Sequence, residues 1–76
     1  MQVRKIIQVS GIVQGVGFRP YVYRLAMDRN LGGNVSNTPA GVTIEIQGPP
    51  DVVEDFVSRL PEDAPALAQI THLNIR

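Results

Sequence analysis

The chain contains no cysteine, which excludes disulfides, thiolate metal sites and a cysteine nucleophile together. Its single histidine, His72, has no companions to complete a zinc site, so no metal is expected. An excess of one charge is also missing, since seven basic residues balance seven acidic ones. No net field therefore draws the chain to nucleic acid or to an anionic membrane surface, and partner choice falls to local sites. Nor is there a long apolar run: MQVRKIIQVSG, at the N-terminus, carries charge inside its apolar stretch and never reaches the length of a signal peptide or membrane span. These absences favour a soluble, cytoplasmic protein. Its 76 residues suffice for one sheet with two covering helices but not for a second core.

Within that size the elements can be placed by periodicity. Residues 3–13 are rich in β-branched side chains, with Val3, Ile7, Val9 and Val13 on one parity and Ile6 and Ile12 on the other, as suits a central strand. Residues 20–31 space Val22, Leu25, Ala26 and Arg29 as a helix does, and Gly32-Gly33 supplies the expected stop. A short strand over 34–38, a turn at Pro39-Ala40-Gly41 and the alternation of Val42, Ile44 and Ile46 read as a hairpin. Val52, Val53, Phe56, Val57 and Leu60 form the stripe of a second helix, which Pro61 is expected to end. Residues 68–76 close as a strand, with Ile70 expected on one face and Thr71, Leu73 and Ile75 on the other. The order βαββαβ predicts an α+β, ferredoxin-like sandwich, an antiparallel sheet with both helices on one face.

The chemistry points to Val13-Gln14-Gly15-Val16-Gly17-Phe18-Arg19-Pro20, where the first strand gives way to the first helix. Glycines at 15 and 17 let successive backbone N–H groups turn toward one anion, and the helix start adds partial positive charge. Arg19 offers a planar fork able to grip a phosphate bidentately, and Pro20 suits the first helical position. Gln14, Gly15, Val16, Gly17, Phe18 and Arg19 are thus the candidate phosphate-binding loop. A twelve-residue helix travels roughly 18 Å, and the following strand returns a similar length, so Asn37 should come back near the level of Arg19.

Gly11-Ile12-Val13-Gln14-Gly15-Val16-Gly17-Phe18-Arg19 followed by Gly33-Asn34-Val35-Ser36-Asn37 resembles both signature segments of the acylphosphatase family. The continuation Pro20-Tyr21-Val22-Tyr23-Arg24-Leu25-Ala26 resembles more narrowly the N-terminal acylphosphatase-like domain of carbamoyltransferases that mature nickel–iron hydrogenases. The resemblance implies Arg19 and Asn37 as catalytic residues, no cofactor, an acyl phosphate as substrate with carbamoyl phosphate the foremost candidate, and later carbamoyltransferase domains and a hydrogenase-maturation protein as partners. Residues 1–76 would then be one acylphosphatase-like domain, a fragment of a larger chain, since family members usually run past the last strand found here. With no cysteine, and no histidine near either segment, direct attack by water is the expected route. Loop amides and Arg19 would hold the phosphoryl oxygens, Asn37 would orient the water, and a substrate oxygen would take its proton.

Blander readings stand beside these. Arg19 alone reads as a surface residue, Asn37 as a turn former, Phe18 as core, and His72 as a half-exposed strand position. Tyr21 and Tyr23, two apart on a helix, point to different sides, so one of them packs. RNA binding is disfavoured because neither central-strand candidate carries an aromatic residue for stacking. A stand-alone acylphosphatase and a silent phosphate-binding or interaction module remain as alternatives.

Overall fold

The computed structural model describes residues 1–76. Strand β1 (Val3–Ile12) leads through the glycine loop into helix α1 (Phe18–Met27). Strands β2 (Gly32–Thr38) and β3 (Gly41–Gly48) follow as a hairpin, then helix α2 (Pro50–Glu62) and strand β4 (Gln69–Ile75). The sheet order is β2-β3-β1-β4 with every pairing antiparallel, which is the ferredoxin-like arrangement expected from the element order. The strand predicted to be central is central, with β3 on one side and β4 on the other.

Register decides which residues meet the helices. Ile7 lies opposite Ile44 and Val9 opposite Val42, and these four are buried together with Ile46. They form one core with Phe18, Tyr21, Val22 and Leu25 of α1 and Val53, Phe56 and Leu60 of α2. Both helices therefore cover the same face. The opposite face is polar: Arg4 pairs with Glu45 at 2.8 Å, and Asn34 reaches the same carboxylate at 2.9 Å.

Four local expectations need correction. Helix α1 ends at Met27, not Leu31, and Gly32-Gly33 is not its stop. The closure is made by Asn30 at φ 55, whose N–H donates to the Met27 carbonyl at 3.1 Å while the Leu31 N–H donates to the Ala26 carbonyl at 3.0 Å. That pair of bonds is a Schellman motif with asparagine in the left-handed place that glycine usually fills. Pro20 stands third in α1, after Phe18 and Arg19, still within the first turn, where a missing N–H costs no intrahelical bond.

Pro61 does not end α2, which runs on to Glu62. A proline in the last turn removes only one donor, and the Tyr21 hydroxyl donates to the Leu60 carbonyl at 2.8 Å and the Arg59 carbonyl at 3.1 Å. Finally, Ile70 and Leu73 both pack on the core rather than on opposite faces. The pairing of β1 with β4 shifts between Ser10 and Gly11, so Ile70 lies opposite Gly11 while Leu73 lies opposite Val9, and Thr71 is the extra residue.

Candidate active site

The loop between β1 and α1 has the backbone of an anion cradle. Gly15 sits at φ 72 and Gly17 at φ 81, both in the left-handed region that glycine enters without a Cβ penalty. Alternating left- and right-handed residues turns consecutive N–H groups to one side, the geometry of a nest. The first backbone bond of the helix runs from the Tyr21 N–H to the Gly17 carbonyl at 3.2 Å. The N–H groups of Gly15, Val16, Gly17, Phe18 and Arg19 precede it, and none donates to another protein group. Those amides, with the positive end of the α1 dipole behind them, are the donors an oxyanion needs.

Each loop residue has a distinct part. Phe18 contributes its amide but not its ring, which is 1% exposed in the core and tilted against Tyr21 with centroids 5.8 Å apart. The buried ring anchors the helix start, so the amides ahead of it are held to the sheet. Val16 packs partly against the same core. Arg19 is exposed at the second position of α1 and enters no ion pair. Gln14 does something not foreseen: its side-chain Nε2 donates to the carbonyls of Thr38 at 2.7 Å and Gly41 at 2.8 Å. These flank the Pro39-Ala40 turn between β2 and β3.

That bond pair brings the second signature segment to the first. Asn37 directly precedes Thr38 near the end of β2, and its cross-strand partner is Val42. Directly opposed residues in an antiparallel pair share a face. Val42 is buried under the helices, so Asn37 lies on the helix side of the sheet, at its rim and exposed. The candidate residues Arg19 and Asn37 thus occupy the same end of the molecule, where β1 and β2 finish and α1 begins. His72 pairs with Ser10 on β1, and Tyr23 is 61% exposed on α1.

The largest concavity lies elsewhere. About 420 Å³ opens along the seam of α1 and β2, between Val22, Tyr23, Met27 and Val35, and it includes neither Arg19 nor Asn37. A phosphoryl group gripped by backbone amides needs no deep pocket, because its binding energy comes from a few short, directed bonds rather than from buried area. No helix of the protein is long and apolar enough to cross a membrane.

Comparison with known proteins agrees with the fold. Over 71 residues the chain is 51% identical to the carbamoyltransferase HypF2 of Cupriavidus necator, covering 93% of this chain but 9% of that one. It is 40% identical over 72 residues to an acylphosphatase of Staphylococcus haemolyticus, covering 95% of this chain and 81% of that one. A crystal structure of full-length HypF in a phosphate- and nucleotide-bound form superposes with a TM-score of 0.96 at 38% identity, covering 100% of this chain and 10% of that one. The chain thus spans about a tenth of the carbamoyltransferases it matches. The family model described as Acylphosphatase matches residues 5–76, and this chain belongs to the acylphosphatase family.

Proposed function

We propose that this domain hydrolyses acyl phosphates, with carbamoyl phosphate as its substrate, as one cytoplasmic domain of a larger carbamoyltransferase of the hydrogenase-maturation type. The observation that carries the reading is the run of unpartnered amides from Gly15 to Arg19, shaped by two left-handed glycines and strapped to the strand end that bears Asn37. The narrower assignment to a carbamoyltransferase is supported by the 51% and 47% identities to such proteins, against 40% for a stand-alone acylphosphatase. Its partners would be the later domains of that chain and a hydrogenase-maturation protein.

The chemistry follows from the charges. The loop amides and the Arg19 guanidinium bind the non-bridging phosphoryl oxygens, which are anionic in both ground and transition states. Asn37, neutral and able both to donate and to accept, holds a water in line with the bond to be broken. The water oxygen bonds to phosphorus as the phosphorus–acyl oxygen bond breaks, and the acyl group leaves as its carboxylate. One water proton passes to a phosphoryl oxygen, giving inorganic phosphate. A carboxylate is a stable leaving group, so no acid need protonate it.

The test compares phosphate release from carbamoyl phosphate and from a generic acyl phosphate by the purified chain. Preference for carbamoyl phosphate is the expected result. Turnover of the generic substrate alone would replace the reading by a stand-alone acylphosphatase. Phosphate binding without turnover of either would leave a binding module.

A further inference from the structure

Gln14 belongs to the glycine loop by sequence but is spent elsewhere by structure. A carboxamide nitrogen carries two hydrogens, and both are engaged, one by the Thr38 carbonyl at 2.7 Å and one by the Gly41 carbonyl at 2.8 Å. Only the nitrogen end can face two carbonyl oxygens, so the orientation of the amide is set by chemistry. No donor is left on this side chain for a phosphate. The two carbonyls bracket a turn that is itself closed by the Gly41 N–H donating to Thr38 Oγ1 at 3.1 Å. Gln14 therefore grips the closed turn on both sides.

Strand β2 is an edge strand, paired only with β3. Its last residues, Asn37 and Thr38, lie where a ladder frays first, because pairing stops on one side and is absent on the other. The strap from Gln14 is the one side-chain link from the phosphate loop to this strand end. We propose that Gln14 is a positioning residue: it fixes Asn37 relative to the loop amides, so that water and phosphoryl group are held in one frame. The inference rests on the reading of Asn37 given above and deepens it. Loosening the strap should disturb the placement of the water while leaving the amide cradle, built by Gly15, Gly17 and the anchored Phe18, able to hold phosphate.

The test uses Gln14→Met, which keeps the length and loses both donors, and Asn37→Ala, singly and combined, assayed for kcat and for competitive inhibition by inorganic phosphate. Gln14→Met should lower kcat on the order of tenfold to a hundredfold, as a misplacement of about 1 Å does. Its phosphate inhibition constant should stay within about twofold, and Gln14→Met should cost nothing further in the Asn37→Ala background, because residues acting through one another are non-additive. Gln14→Glu sets a carboxylate against two carbonyls and should lose at least as much, recovering in part as the carboxyl protonates and regains one O–H donor. Gln47→Ala, which breaks a surface bond to Gln2 outside the site, should leave turnover unchanged. Independently of turnover, the Asn37 side-chain amide signals should broaden in Gln14→Met while the Gly15–Arg19 amides still shift with added phosphate.

Full turnover in Asn37→Ala would end both the reading of Asn37 and this inference. An impaired Asn37→Ala beside an unimpaired Gln14→Met, losses that multiply, unchanged Asn37 signals, or loss of the fold in Gln14→Met would overturn the inference on Gln14 alone.

Discussion

Replacing Arg19 by alanine should remove most turnover while leaving the fold as stable as before, or slightly more so. Arg19 is exposed and its guanidinium makes no ion pair. It stands in the first turn of α1, which holds no acidic residue to offset it. A cation there opposes the positive end of the helix dipole, a penalty of about 0.3–1 kcal/mol for an exposed charge at low salt. Alanine relieves that penalty and is itself the best helix former. For a domain of this size the relief corresponds to roughly one to several degrees in Tm. On the chemical side, losing one preorganised donor to a developing oxyanion removes about 3–4 kcal/mol of transition-state stabilisation, or roughly two to three orders of magnitude in kcat. Phosphate affinity should fall as well, since the bound ground state is anionic. Arg19→Lys should recover little, because an ammonium restores the charge but not the fork. Thermal melts and steady-state hydrolysis of an acyl phosphate on the same preparations decide the matter. If Tm and kcat fall together, Arg19 is a structural residue and the cradle argument fails at its centre.

Asn37→Ala should lower kcat on the order of a hundredfold or more with little change in phosphate inhibition, since a water-positioning group acts on the reaction and not on the anion; a raised inhibition constant would make Asn37 a phosphate ligand instead. Gly17→Ala has open space for the added methyl, so its expected cost is the left-handed backbone alone, about 1–2 kcal/mol in denaturant melts, with weaker phosphate binding; an unchanged midpoint would show that the loop backbone differs in solution. Tyr21→Phe leaves the Leu60 carbonyl without its donor, while the Arg59 carbonyl keeps the Asp63 N–H, and should cost about 1–3 kcal/mol. Burial, with the Asp63 carboxylate adding and Arg29 opposing, pushes the Tyr21 phenol above its ordinary value. A raised folded value means the native state keeps its proton after the unfolded chain loses it. Stability is then full below the ordinary phenol value of about 10 and is lost as pH rises through the folded value, a dependence that Tyr21→Phe should weaken.

How much of this was legible in the sequence depends on what kind of signal each feature leaves. The alternation of Val42, Ile44 and Ile46 and the stripe of Val52, Val53, Phe56, Val57 and Leu60 report burial directly: the structure buries six of these eight and half-buries Val52 and Val57 at the edge of the stripe. Gly15 and Gly17 report backbone freedom, and both use it. Helix ends were read less well because different chemistry can close them. Asn30 took the left-handed cap ahead of the glycines, and the Tyr21 hydroxyl served carbonyls beside Pro61, a contact across 39 residues that no local pattern announces. The bulge beside Gly11 was invisible for a similar reason: one extra residue on β4 reverses the parity of Ile70, and parity was the only signal available there. The sequence places Gln14 in the loop but gives no sign of its side-chain partners, since those bonds span 24 and 27 residues.

The placement of Asn37 shows how core packing underwrites a site that contains no core residue. Side chains alternate across a strand, so a slip of one position between β2 and β3 would send Asn37 to the polar face, away from the helix start. The pairs Val35 with Ile44 and Asn37 with Val42 hold the correct alternative, because the same slip would turn Val35 away from the core it packs against. Val35 thus selects the face on which Asn37 appears, two residues later, through burial alone. Register supplies the face but not the final ångström at a strand end free on one side. That remaining freedom is what the Gln14 strap removes, so the hydrophobic pattern and a single amide act in sequence on the same residue.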